Sequence, residues 1–241
     1  MITPLPPPGD APTSHRAALI VACAALVAVT EQVLTSGPLT AIDRDVAQWL
    51  HSQGPGDPFI LTVAEVISRI ATPQLSVAGS LVVAGAMSKR AGTWQPLQRM
   101  TAAVVLLAAT VLGMKTLIDR PGPPGQGATG YFPSGHTTTA VVCSGTLLLL
   151  AHELWPGLRR LDLRRFVVLW ALLVGWAMTW HNYHWLTDVL AAWLLGALLL
   201  IILARGAAAG TGAGTPGQPQ HATNQSGVNP RLDPARQPRS S

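Results

Sequence analysis

Long uncharged, apolar stretches recur along the chain at 17–30, 70–88, 100–114, 137–152, 166–187 and 189–204. Several extend by a few residues to the ~20 needed to cross a bilayer, so the pattern predicts six spanning helices. A shorter stretch at 58–70 carries Glu65 and Arg69 and stops before Pro73. It predicts an amphipathic helix lying at the membrane interface ahead of the second span. The expected fold is therefore all-α, a six-helix transmembrane bundle over 17–205. Its expected flanks are a disordered tail at 1–16, with a Pro-Pro-Pro run, and another at 206–241, rich in Gly, Pro, Gln and Ser. Arg16 followed by apolar residues also resembles a signal-peptide core, but Glu31-Gln32 is a poor small-residue cleavage site, so a retained helix is expected.

Composition sharpens this picture. Of 241 residues, 49% are apolar and 11% charged, far fewer charges than the roughly one quarter typical of soluble domains. The net charge of +5 is better read as topology than as a nucleic-acid footprint, because no basic run sits on a soluble face. Lys89, Arg90 and Arg99 fall between the second and third spans, Arg159, Arg160, Arg164 and Arg165 between the fourth and fifth, and Arg16 and Arg205 at the two ends. By the positive-inside rule both termini are expected in the cytoplasm, with 35–57, 115–136 and 181–188 outside the cell membrane. Cys23 and Cys143 lie in apolar blocks and form neither a zinc pattern nor a disulfide framework.

Two of the outward loops hold most of the polar residues that packing does not explain. In the first, Tyr131-Phe132-Pro133-Ser134-Gly135-His136 ends a Gly/Pro-rich stretch and opens the fourth span. Ser134 is then an N-cap, and the helix start beyond it can hold an anion through free N–H groups and the helix dipole. The plain alternative is a capping serine beside an incidental histidine; a Ser134 nucleophile lacks the strand-turn-helix context of the hydrolase elbow. In the second loop His184 and Asp188 stand four apart, a spacing that puts carboxylate and imidazole on one helical face. Such a carboxylate fixes the tautomer and leaves the other ring nitrogen as a nucleophile. An interfacial histidine beside a capping aspartate accounts for the same spacing. His181 and His184 also have a metal-like spacing, yet they sit among Trp176, Trp180, Tyr183 and Trp185, an aromatic interface belt, and no metal is expected. Lys115 and Arg120 add cations at the outer end of the third span, where they either serve an anion or snorkel to headgroups.

Together these residues resemble the type 2 phosphatidic acid phosphatase family, whose membrane members are six-helix lipid phosphatases. Its three signature pieces are Lys, six residues, then Arg-Pro; Pro-Ser-Gly-His; and Ser-Arg, five residues, His, three residues, Asp. The second is complete at Pro133-Ser134-Gly135-His136 and the end of the third is present at His184 to Asp188. The resemblance, over about 17–204, implies that His184 attacks phosphorus, Asp188 orients it and His136 protonates the leaving oxygen, with no cofactor. It further implies that Lys115, Arg120, Ser134 and Gly135 bind the phosphoryl oxygens.

Two family arginines are missing. Counting from Lys115, the first falls on Gly122, with Arg120-Pro121 two residues early; the Ser-Arg of the third piece falls on Ala177 and Met178. The expectation is that Arg120 bends into the first vacancy and His181, one turn beyond Met178, partly serves the second. The expected activity is hydrolysis of a lipid phosphomonoester or diphosphate on the extracytoplasmic face. Polyprenyl diphosphate is favoured, with phosphatidic acid and phosphatidylglycerol phosphate also open. The competing reading is a catalytically weakened homologue that binds phospholipid headgroups or assists assembly.

Overall fold

The computed structural model describes residues 11–52 and 56–212, which are helical apart from their connections. In chain order the helices are α1 (Ala11–Leu34), α2 (Pro38–Ser52), α3 (Pro58–Ile70), α4 (Pro73–Ala91), α5 (Gln95–Ile118), α6 (Gly135–Leu154), α7 (Arg164–Trp180) and α8 (Leu186–Gly212). A short 3₁₀ helix, Pro156–Arg160, joins α6 to α7. Prolines open α2, α3 and α4, where a missing N–H costs nothing and the fixed φ suits the first turn. Asp57 caps α3 by accepting from Phe59 N at 2.8 Å. Gly92, with φ of 67°, ends α4 in the left-handed conformation.

The six apolar blocks correspond to α1, α4, α5, α6, α7 and α8. Four of these, α1, α5, α6 and α8, are long and apolar enough to cross a bilayer, and α3 with α4 forms a pair bent by 54° that qualifies together. At 17 residues α7 is a little shorter, about 26 Å. It stops at Trp180, short of the expected 187, because the chain turns through Asn182 at a φ of 54°. Parts of the expected tails are helical, since α1 begins at Ala11 and α8 continues to Gly212; 1–10 and 213–241 lie outside the described residues.

The largest departure from expectation is α2. Residues 38–52 form a helix where a loop was expected, and it packs against α1 and α8. Helix α6 is the axis of the bundle, contacting α4, α5, α7 and α8. Its close approach to α8 needs Gly196, where an added Cβ would stand 2.6 Å from Val141 Cγ1. One core cluster joins Leu107, Val111, Val142, Leu195 and Leu199; another joins Ala140, Val174, Met178 and Val189. Large apolar side chains such as Val82, Val105, Leu112 and Phe166 face outward, as a lipid-immersed surface requires. The expected site residues gather where α5 ends and α6 and α8 begin, whereas Lys89, Arg90, Arg159 and Arg160 lie at the other end of their helices.

Candidate active site

The α5–α6 and α7–α8 loops are stitched together by three hydrogen bonds. Trp185 Nε1 donates to Pro121 O at 2.8 Å, Asn182 Nδ2 to Pro124 O at 3.1 Å, and Gln126 Nε2 to Asn182 O at 3.2 Å. Ser134 N donates to Asp188 O at 3.1 Å, which ties the start of α6 to the first turn of α8. The two loops singled out in the sequence therefore form one surface.

His184 and Asp188 make the contact their spacing implies. The imidazole Nδ1 lies 3.2 Å from Asp188 Oδ2, and Trp185 N donates to the same oxygen at 3.2 Å. With Nδ1–H directed at the carboxylate, the lone pair sits on Nε2, which has no protein partner among the described residues. The Tyr131 ring meets the His184 ring edge-on, with centroids 5.4 Å apart. His136 stands on the first turn of α6, next to Gly135 and the capping Ser134.

Ser134 caps α6 and is fully buried: its Oγ accepts from Thr137 Oγ1 at 3.2 Å and from Thr137 N at 3.5 Å. Thr138 N is satisfied by Ser134 O, so the open donors of the helix start are the N–H groups of Gly135 and His136. Lys115 reaches the same place. Its Nζ donates to Gly130 O, and its Cε would be 3.9 Å from a Cβ added at Gly135. A cation, two open N–H groups and two imidazoles thus converge, as binding and transfer of an anionic group require.

Arg120 does not join them. Its guanidinium turns inward, with NH1 donating to Asp188 Oδ1 and, at 2.7 Å, to Thr187 Oγ1, while NH2 donates to Asp43 Oδ2 at 2.6 Å. Asp43, on α2, also accepts from Thr187 N at 2.9 Å. Arg120 is 9% exposed, Asp43 2% and Asp188 0%. Two buried carboxylates hold this guanidinium more strongly than a vacancy in a loop can, because among the described residues no other Lys or Arg pairs with either acid. The position expected to receive Arg120 is occupied otherwise: Tyr131 lies against Gly122, where an added Cβ would stand 2.7 Å from the ring.

His181 does not serve the second vacancy either. It stacks on Tyr183 with centroids 5.1 Å apart, and its Nε2 faces Glu65 of α3 at 3.8 Å. Burial and the Glu65 carboxylate push the Tyr183 phenol above its usual range. Met178 is fully buried in the apolar cluster with Ala140 and Val174. Neither absent arginine has a like-for-like substitute from the expected residue. Among the described residues no group of three His, Cys, Asp or Glu side chains is arranged to hold a metal ion.

Asp43 was not expected from the sequence. Its signal was present: Leu39, Val46, Ala47 and Leu50 mark one face of an amphipathic helix, and Asp43 stands on that face. An acid among apolar positions at helical spacing asks for a buried cation. The contact between Tyr131 and Gly122 yields a direct test. Gly122→Ala is expected to lower stability by about 1–3 kcal/mol through overpacking, read as a fall in detergent-solution Tm; an unchanged Tm would mean the ring moves away freely.

Residues 96–209 match the family model of the PAP2 superfamily, the segment that carries Lys115, the Pro-Ser-Gly-His piece and the His184–Asp188 pair. This segment, α5 to α8, belongs to that superfamily. Among solved structures, the chain is similar to a Bacillus subtilis protein described as the first transmembrane PAP2-type phosphatidylglycerolphosphate phosphatase. The TM-score is 0.69 at 18% identity, covering 80% of this chain and 96% of the other.

Proposed function

We propose that the protein is a membrane lipid phosphatase that works through a phosphohistidine, without a metal ion. The observation that carries this reading is the His184–Asp188 pair, its Nε2 without a protein partner among the described residues, tied through Asp188 O and Ser134 N to the open start of α6 that Lys115 also reaches. In the first step His184 Nε2 attacks phosphorus, the P–N bond forms as the P–O bond to the lipid breaks, and His136 delivers a proton to the leaving oxygen. In the second, His136 takes a proton from water, the water oxygen attacks phosphorus, and His184 leaves with its electron pair. Lys115 and the N–H groups of Gly135 and His136 neutralise the phosphoryl oxygens, and Ser134 acts as the cap that aims those groups. Asp188 holds the tautomer, and Arg120, fixed by Asp43, holds Asp188.

Lys115 is the one site cation without a carboxylate partner among the described residues, which suits a phosphomonoester better than a more highly charged diphosphate. The order of preference expected is therefore phosphatidic acid or phosphatidylglycerol phosphate ahead of polyprenyl diphosphate. The positive-inside pattern supports a site on the extracytoplasmic face of the cell membrane. Gly122 and Met178 favour a second reading, a weakened homologue that binds headgroups, because each lost charge-assisted hydrogen bond is worth about 1.5–3 kcal/mol.

Purified protein in detergent with EDTA, offered these three lipids, separates the readings. Phosphate release that EDTA leaves unchanged, fastest on a monoester, is the expected result. Release abolished by EDTA and restored by a divalent cation would refute the metal-free mechanism, and tight binding without release would support the second reading.

A further inference from the structure

At the end of the bundle opposite His184, two depressions adjoin and share Leu149 and Glu153 as a common wall. The first is a slot of about 320 Å³ between α5, α6 and α8, walled by Ala102, Leu150, Ile202, Leu203 and Ala204. The second is a cleft of about 610 Å³ where α6 passes through the 3₁₀ helix into α7, carrying His152, Arg159, Arg160 and Arg164. One is apolar and the other basic.

The acids in this region are already neutralised. Glu153 pairs with Arg99 across α5 and α6, and Asp162 pairs with Arg165 at 2.7 Å. Arg159 gives one N–H to His152 O at 3.1 Å, and no acid pairs with Arg159, Arg160 or Arg164 among the described residues. The cleft therefore presents three uncompensated guanidiniums to whatever enters it. Each cavity also holds a polar atom left alone. Thr146 Oγ1 in the slot wall and His152 Nε2 in the cleft are buried without a partner among the described residues. Thr146 is unusual in this, since Thr110, Thr138, Ser144 and Thr179 all return their hydroxyls to a carbonyl one turn back.

Depth selects the occupant. Helix α6 runs 20 residues from the catalytic surface to Leu154, about 30 Å, so the cleft lies at headgroup level of the opposite leaflet, and the slot descends from it into the hydrocarbon. A soluble anion would use the cleft alone and leave the slot empty. The geometry points to a second lipid site, distinct from the catalytic one, that binds a diacyl phospholipid with an anionic headgroup from that leaflet. Its phosphate lies among Arg159, Arg160 and Arg164, and one acyl chain fills the slot past Leu149. Clustered arginines at this depth confer selectivity for anionic over zwitterionic headgroups.

The test uses the full-length protein in detergent and native mass spectrometry. Phosphatidylglycerol and phosphatidylcholine of identical chains are added separately, and the bound fraction is followed with lipid concentration. Phosphatidylglycerol has no phosphomonoester, and His184→Ala is run beside the parent to exclude the catalytic pocket. The parent and His184→Ala are expected to bind phosphatidylglycerol about tenfold more tightly than phosphatidylcholine. The triple variant R159Q/R160Q/R164Q, altered only at exposed positions, is expected to lose that preference. Ala204→Phe, which fills the slot from its exposed edge, is expected to weaken both lipids. Equal affinity of the parent for the two lipids, an unchanged preference in the triple variant, unchanged binding in Ala204→Phe, or loss of the preference in His184→Ala would each overturn the assignment.

Discussion

His184→Ala is expected to lower phosphate release from a lipid phosphomonoester on the order of 10⁴-fold or more, with KM changed far less than kcat. In the proposed mechanism the substitution removes the atom that would form the new bond to phosphorus, whereas Lys115 and the start of α6 would still hold the substrate. The fold should survive it. Asp188 keeps Arg120 and Trp185 N as partners when the imidazole is gone, so no buried charge is stranded. Rates measured on phosphatidic acid micelles, with Tm recorded alongside, check both halves. A loss smaller than tenfold with an intact Tm would remove His184 from the reaction.

The second large effect concerns the buried chain Asp43–Arg120–Asp188. Asp43→Ala leaves one side of a guanidinium and the Thr187 N–H without an acceptor, and Arg120→Met leaves two buried carboxylates without a cation. Each is expected to cost about 3–5 kcal/mol of stability, because the penalty is that of an uncompensated buried charge. The double variant Asp43→Leu/Arg120→Met is expected to be less destabilised than the sum of the two single variants, by up to about 3 kcal/mol, since it removes the partners together. Kinetically these residues act through Asp188. kcat should fall in all three variants while the affinity for inorganic phosphate, which rests on Lys115 and α6, changes little. Additive Tm losses in the double variant would show that Asp43 and Arg120 do not act as a pair.

The bundle was legible because hydrocarbon demands long apolar runs, and each of the six runs in the chain corresponds to a helix. The loops of the candidate site were legible for a related reason: polar residues are costly at the membrane boundary, so Lys115, Ser134, His136, His184 and Asp188 stood out. Helix α2 was obscured because its charges, Asp43, Arg44 and Asp45, make 35–57 look like a solvated loop, although Leu39, Val46, Ala47 and Leu50 repeat at helical spacing. Arg120 was misplaced for a different reason. Proximity in sequence to Gly122 suggested a local substitution, but a long side chain goes where the charge balance is best, and its partners lie 77 and 68 residues away. His181 followed the same rule, turning to Glu65 on α3. Spacing along one segment carries no information about which distant acid will be waiting.

A phosphohistidine on His184 is a covalent species that can be trapped during turnover. Full-length protein is mixed with phosphatidic acid labelled with ³²P in the phosphate, quenched in alkali and digested, and the labelled peptide is sequenced. An alkali-stable, acid-labile label is expected on the peptide containing His184, absent in His184→Ala. A label on Ser134, or rapid turnover by the His184→Ala variant, would contradict it.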